Sequence, residues 1–547
     1  MREGVRLMFV RVLRSSCTFP TIKLAVPIGI FLLLSCLFLP APVLAALAGG
    51  GDTQDTDVRD ESQLIKQGER AFRRADYPLA EDSFRKVLDI NKFNVRAKLK
   101  LSHVLLKTRQ LLEGYFLAYD VAKADPRNDY AYALVGNILL AAGHFKDAEE
   151  TLKAALAIDG GNAFAMAGLG MLDFYNNRLE DSHDKLAWAA YKDADEADYL
   201  LFLAQVSARL ERYKEAADSY RKFLRVTPPN DVDRRERIKG LVSFLEVLST
   251  RARLYDTDGR DDTTVPIELI KDRPVVNLRI GRNDEVLRFV IDTGSNITVV
   301  SQQTADKLKI RAVARGGMAR GVGGNGKFDI VYGLLSSVSI GEVKIRNVPI
   351  YLRRFPDEVG QFDGYIGLSL LSKFLTTIDF ENMTFVMSKR GGGGDNAPPQ
   401  AKDENHFVST LRLTPSGFLS GEVTLPGIEP LNFIVDTGAE LSVISTELAG
   451  REGVKQFQGK QKMRVIGAAG VTEGVPLFHL PSVSFGNHSV EDIRAIALNL
   501  SVINENAGFE QSGILGGNFL KHYRLTFDFQ KYTLSFSPIK RVATAKE

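Results

Sequence analysis

What the chain lacks narrows it most. Only two of its 547 residues are cysteine, and both, Cys17 and Cys36, lie within the first 36 positions. A disulfide framework, a thiolate zinc site, an iron–sulfur cluster and a cysteine nucleophile are therefore excluded for everything downstream. The seven histidines are scattered and include no HExxH, which removes the zincin type of metal site. No apolar run beyond residue 48 is long enough to form a second membrane span. Excess charge is also missing. The whole chain carries +3, but residues 1–48 hold five bases and one acid, leaving 65 bases against 66 acids in the body. With acids and bases interspersed and no basic stripe, no nucleic acid is expected as a partner.

The basic excess belongs to a leader. Arg2, Arg6, Arg11, Arg14 and Lys23 precede an apolar run from Leu24 to Ala48, which ends in the A-x-A-like stretches Val43-Leu-Ala45 and Ala46-Leu-Ala48. This is the pattern of a secretory signal. About 25 apolar residues also suffice for an uncleaved anchor, so residues 1–48 are a signal peptide or a signal anchor, with Pro27, Pro40 and Pro42 favouring cleavage. The body is expected to be exported, periplasmic or extracellular, with membrane attachment through residues 24–48 if the leader stays.

Residues 61–251 repeat. Asn94, Asn128, Asn162 and Asn230 fall in a 34-residue register, with Glu196 in the remaining slot. The same register aligns Gly68, Ser102, Gly136, Gly170 and Ala204, and also Ala80, Gly114, Ala148, Ser182 and Ala216. Small residues at two fixed positions are what close contact between paired helices requires. This period and pattern resemble the tetratricopeptide repeat, with Asp125-Pro126 and Thr227-Pro228 falling where that family ends its second helix. About five repeats are expected, closed by an amphipathic capping helix over 231–251. A surface for a protein partner is the functional expectation. A spacer or oligomerisation module is the alternative.

Beyond Thr250 the helical period gives way to β alternation, and the chain repeats itself a second way. Phe289-Val-Ile-Asp-Thr-Gly-Ser-Asn-Ile-Thr-Val-Val-Ser301 returns as Phe433-Ile-Val-Asp-Thr-Gly-Ala-Glu-Leu-Ser-Val-Ile-Ser445. Gly364-Tyr-Ile-Gly367 returns as Gly513-Ile-Leu-Gly516, and Thr377-Ile-Asp-Phe380 as Thr526-Phe-Asp-Phe529. Glycine-rich segments, Gly321-Val322-Gly323-Gly324 and Gly467-Ala468-Ala469-Gly470, sit between them in each copy. A lone DTG is weak evidence; two copies in one apolar frame with matched flanking motifs are a duplication.

Each copy resembles a retropepsin-type aspartic protease domain, and the tandem resembles a single-chain form of the retroviral homodimer or, more distantly, the two lobes of pepsin. The expected architecture is thus multidomain: an all-α repeat solenoid, then two all-β retropepsin-like barrel domains over 264–390 and 405–540 forming a pseudo-dimer, joined by a flexible linker over 391–404. Tyr255–Thr264 reads as an acidic hinge. The resemblance implies that Asp292 and Asp436 face each other as catalytic acids, supported by Thr293, Gly294 and Ser295 and by Thr437, Gly438 and Ala439. It also implies that the threonines bond across to the opposite loop, and that the glycine-rich segments act as flaps over an extended peptide. Gly294 is expected to permit a backbone geometry that a Cβ would hinder. Two carboxyls so close cannot both ionise, so the pair would hold one proton and activate a water without metal or cofactor. Asp379 and Asp528, the second matched pair of acids, read as structural. The function implied is an exported aspartic endopeptidase whose repeats recruit protein substrates or partners. A scaffold with an unused protease fold and halves paired between chains are the alternatives.

Overall fold

The computed structural model describes residues 51–229, 232–251, 253–321, 327–356, 361–389, 407–467 and 469–539. The leader with both cysteines, Asn230, the linker over 391–404, and Val322, Gly323, Gly324 and Ala468 lie outside these residues. The chain divides after Leu134 into two compact units. The first holds α1 (Gly51–Arg73), α2 (Tyr77–Ile90), α3 (Val95–Lys107), α4 (Leu111–Ala124) and the start of α5 (Asp129–Ala142). In the second, the rest of α5 is followed by α6 (Phe145–Ile158), α7 (Ala163–Tyr175), α8 (Leu179–Lys192), α9 (Ala197–Arg209), α10 (Tyr213–Val226) and α11 (Val232–Ser249).

The 34-residue register has a local cause. Asn94, Asn128 and Asn162 each cap the first helix of a pair, accepting from the N–H of Ala97 (3.0 Å), Ala131 (3.0 Å) and Ala165 (2.8 Å). Each such cap contributes about 1 kcal/mol by satisfying a helix-start donor that nothing else reaches. The small positions mark the closest helix approach within a pair. A Cβ on Gly68 would lie 2.7 Å from the Phe84 ring, on Gly136 2.6 Å from Leu152 Cγ, and on Gly170 2.8 Å from Leu186 Cγ.

The second unit continues into strands β1 (Asp256–Gly259), β2 (Asp262–Ile270), β3 (Arg273–Ile280), β4 (Leu287–Ile291), β5 (Thr298–Ser301), β6 (Ala312–Arg320), β7 (Lys327–Ile340), β8 (Val343–Arg353), β9 (Gly364–Ile366), β10 (Leu375–Asp379) and β11 (Thr384–Ser388). The second copy supplies β12 (Phe407–Thr410), β13 (Arg412–Leu413), β14 (Leu419–Thr424), β15 (Leu431–Val435), β16 (Ser442–Ser445), β17 (Gln458–Gly467), β18 (Gly470–Phe485), β19 (His488–Leu498), β20 (Gly513–Leu515), β21 (Tyr523–Asp528) and β22 (Thr533–Pro538).

One stretch read as a hinge is not one. Within 255–264, β1 pairs with β8 and β2 joins the sheet between β11 and β3. Acidic composition concealed this because strands β8 and β11, far along the chain, supply the pairing. Arg346 neutralises Asp258, and Thr263 is buried and accepts from the Glu342 N–H at 3.2 Å.

The duplicated segments meet. Strands β12, β22, β21, β10, β11 and β2 lie side by side in that order. At the centre β10 pairs antiparallel with β21, Thr377 opposite Thr526, and their hydroxyls share a hydrogen bond of 2.9 Å. The same threonine of each copy therefore sits on a pseudo-two-fold axis. In each copy the short strand after the flap threads between the two strands that flank the Asp loop. β9 runs parallel to β4 and antiparallel to β5, as β20 does to β15 and β16. Phe289 and Phe433 are fully buried at the base of these loops, each contributing roughly 1.5–3 kcal/mol by its removal from water.

Helix α11 does more than close the array. Its Phe244 stacks on Tyr332 of β7 with ring centroids 4.3 Å apart, and Arg237 donates to the Met318 carbonyl at 3.2 Å. Gly240 lies so close to β6 that a Cβ there would overlap the Arg315 carbonyl and Gly316 Cα. The capping helix is thus packed onto the β6–β7 hairpin. Across the second copy, the Phe509 ring sits 4.9 Å from both Phe145 and Tyr175, and the Glu510 N–H donates to the Ala141 carbonyl at 2.9 Å.

Candidate active site

The two DTG loops are held by the strands beneath them and then by each other. The Asp292 N–H donates to the Ile366 carbonyl at 3.0 Å, and the Asp436 N–H to the Leu515 carbonyl at 3.1 Å. These bonds fix where each carboxyl emerges. The Thr293 hydroxyl then donates across to the Val435 carbonyl at 2.8 Å and accepts from the Thr437 N–H at 3.1 Å. Thr437 reciprocates, donating to the Ile291 carbonyl at 2.6 Å and accepting from the Thr293 N–H at 3.1 Å. Four buried hydrogen bonds between copies lock the loops in register. Losing either hydroxyl leaves a buried carbonyl and a buried N–H unpaired, at about 1–3 kcal/mol for each such group.

The glycines play a part different from the expected one. Gly294 and Gly438 are not in the left-handed region. Instead, each lies under the other copy's carboxyl: a Cβ on Gly294 would come 2.5 Å from Asp436 Oδ1, and one on Gly438 2.5 Å from Asp292 Oδ1. Glycine is required here by close approach, not by dihedral angle. The Gly294 N–H donates to Asp292 Oδ1 at 2.8 Å, and the Gly438 N–H to Asp436 Oδ1 at 2.8 Å.

The fourth position of the motif breaks the symmetry. The Ser295 hydroxyl donates to the outer oxygen of Asp292 at 2.6 Å. Ala439 offers only its N–H to Asp436, at 3.1 Å. Burial raises both carboxyls above the ordinary range, since desolvation penalises the charged form. The Ser295 hydroxyl, the Gly294 N–H and the nearby Arg273 guanidinium draw Asp292 back down. The charge of Asp292 pushes Asp436 further up, well above the usual carboxylate value. The two carboxyls act on one another and titrate as a pair. Of the two, Asp436 is the carboxyl more strongly disposed to keep a proton.

Of the flap residues named from sequence, Gly321 directly follows β6, while Gly467, Ala469 and Gly470 form the turn between β17 and β18. Gly470, at φ 125°, needs the freedom only glycine has. Asp379 and Asp528 stay away from the dyad and close turns, accepting from the N–H groups of Glu381 and Asn382 (3.0 Å each) and of Gln530 (3.1 Å) and Lys531 (2.9 Å).

Sequence reading missed the walls beside the dyad. Val275 pairs with Val290, and extending that register by two residues sets Arg273 opposite Asp292. In the second copy Ser420 pairs with Ile434, which sets Phe418 opposite Asp436. Ser301 lies beside Arg353, and Ser445 beside Leu498. Val290 lies beside Tyr365, and Ile434 beside Ile514. The signal was present in the duplication: an offset of 145 residues aligns both arginines with their apolar counterparts.

Two stretches, residues 276–370 and 421–519, match the family model described as aspartyl protease, and residues 168–231 match that described as tetratricopeptide repeat. Comparison with curated proteins gives no match. Among solved structures, a tetratricopeptide-repeat protein of Thermus thermophilus is 20% identical, with 33% of this chain and 98% of that one covered and a TM-score of 0.30. The aspartic proteinase of Irpex lacteus is 14% identical, with 51% and 97% covered and a TM-score of 0.36. The chain carries tetratricopeptide repeats followed by two tandem aspartyl protease domains.

Proposed function

We propose that the protein is an exported aspartic endopeptidase working with an intramolecular dyad. The observation that carries this reading is the reciprocal seating of the two carboxyls, each against the DTG glycine of the other copy within one chain. In the proposed reaction, ionised Asp292 takes a proton from a water held between the carboxyls, and that water attacks the scissile carbonyl carbon. Protonated Asp436 donates to the carbonyl oxygen as charge develops there. On collapse of the tetrahedral diol the C–N bond breaks, Asp292 passes its proton to the departing nitrogen, and Asp436 takes one back from a diol hydroxyl, so the pair again holds one proton. This is general acid–base catalysis with no covalent intermediate. The hairpins β6–β7 and β17–β18 would cover an extended peptide, held by strand-like backbone hydrogen bonds. Export rests on the leader pattern of residues 1–48, and recruitment of a protein substrate or partner on the repeats.

The test is cleavage of a mixed peptide library by the full chain across pH 3–8, alongside Asp292→Asn and Asp436→Asn. Each single substitution is expected to lower kcat by about 10²–10⁴, the span that positioned acid–base groups contribute. Wild-type activity in both variants would exclude the dyad. No cleavage by the wild type at any pH would favour a scaffold that retains an unused protease fold.

A further inference from the structure

The walls of the two copies are matched in position and opposed in chemistry. Around Asp292 stand Arg273, Arg353 and Tyr365; the register equivalents around Asp436 are Phe418, Leu498 and Ile514. On the second side Leu498 and Ile514 belong to one buried apolar cluster, and Phe418, Ala439 and, from flap strand β17, Met463 and Val465 pack onto it. On the first side the guanidiniums lie over aromatic rings. Arg273 lies 5.0 Å above Phe362, and Arg353 lies 4.2 Å above Phe328 of flap strand β7.

Neither cation is neutralised by an ion pair among the described residues. The Nε of each is buried with no hydrogen-bond partner. A buried donor without a partner is costly, and both guanidiniums act electrostatically on Tyr365 beside the dyad. Asp292 is the acid within their electrostatic reach, and it is already occupied by Ser295 and Gly294. Tyr365 stays a neutral hydroxyl between them, its ionisation pushed up to about 12 by burial and the dyad's charge.

We infer that this cleft selects peptides carrying an acidic side chain, Asp or Glu, on the Asp292 side of the scissile bond and an apolar side chain on the Asp436 side. The selection rests on the endopeptidase reading. Arg353, at the end of β8 and under the flap, is the principal specificity residue. Arg273, nearer the dyad, both attracts the substrate carboxylate and steadies the charge of Asp292.

The test uses the full chain and a peptide series with Glu, Gln, Leu or Lys at a single position flanking the cleaved bond, on either side, with product masses locating the bond. Glu is expected to exceed Gln and Leu in kcat/KM by on the order of tenfold to a hundredfold on one side only, the span of a hydrogen bond to a charged group. Lys is expected to be the poorest there, and Leu the best on the opposite side. Arg353→Leu, which installs the residue of the other copy, should erase the preference, and Arg353→Lys should keep part of it. The same series made with a reduced, uncleavable bond and titrated calorimetrically separates the two levels. Cleavage or binding that favours Leu or Lys on both sides overturns the inference while leaving the endopeptidase reading intact. Absence of cleavage overturns that reading, and the binding series still decides the subsite.

Discussion

The two protease copies share a backbone plan down to the hydrogen bonds of their Asp loops, yet they differ at almost every point where chemistry meets that plan. The first has Ser295 against its carboxyl, arginines beside it, and a flap hairpin backed by α11. The second has Ala439, an apolar wall, and a flap hairpin whose Met463 and Val465 rest on its own core. A symmetric dimer of one copy gives two equivalent aspartates and two equivalent pockets. Joining the copies in one chain frees them to diverge, and they have diverged beside both carboxyls. The threonine grip and the glycines stay identical because each serves the other copy as much as its own.

That mutual dependence sets the largest expected effects. Gly294→Ala and Gly438→Ala should each abolish cleavage as fully as loss of a carboxyl, since each Cβ displaces the opposite aspartate. Unequal losses in kcat would show that the crossed seating is not symmetric. Next come Thr293→Val and Thr437→Val, which should destabilise equally. With two buried groups orphaned at about 1–3 kcal/mol each, thermal unfolding of either variant should begin several degrees lower. Smaller still is Gly240→Ala, whose Cβ meets the backbone of β6. It should move α11 off the first flap and raise KM several-fold, more than it lowers kcat. An unchanged KM would mean that the helix does not position that flap.

The sequence disclosed what lies in contiguous motifs. The DTG triplets, the matched strands at Tyr365 and Ile514, and the 34-residue register of asparagines were all legible, because each is a local pattern with a local cause. What stayed hidden was made by distant neighbours. The role of Gly294 depends on a carboxyl 142 residues away, read as Asp436 only once the copies fold together. Arg273 and Arg353 become a pair only through sheet register, although aligning the copies already set them against Phe418 and Leu498. The segment 255–264 looked like a hinge by charge alone, and α11 looked like a cap because its apolar face has no sequence mark naming β6 and β7 as its partners.

The finest difference between the copies is one hydroxyl, and it is expected to move pH dependence more than rate. In the proposed mechanism activity requires one proton on the pair, so it should fall when the pair takes a second proton in acid and when it loses its last in base. Ser295 stabilises ionised Asp292 and thereby lowers its pKa. Ser295→Ala should therefore raise the first ionisation and shift the acid limb of kcat/KM to higher pH. Ala439→Ser makes the reverse change: a hydroxyl against Asp436 would favour its charged form and bring the alkaline limb to lower pH. In the doubly exchanged protein the proton should pass from Asp436 to Asp292 while the chemistry persists. The linkage to stability has a matching sign. Asp436 is held above its unfolded value, so its contribution is full at low pH and is lost as pH rises through the folded value. Asp436→Asn removes that loss, so its melting temperature relative to wild type should climb between mildly acid and alkaline pH. A constant difference across that range would mean that the proton is not held on Asp436.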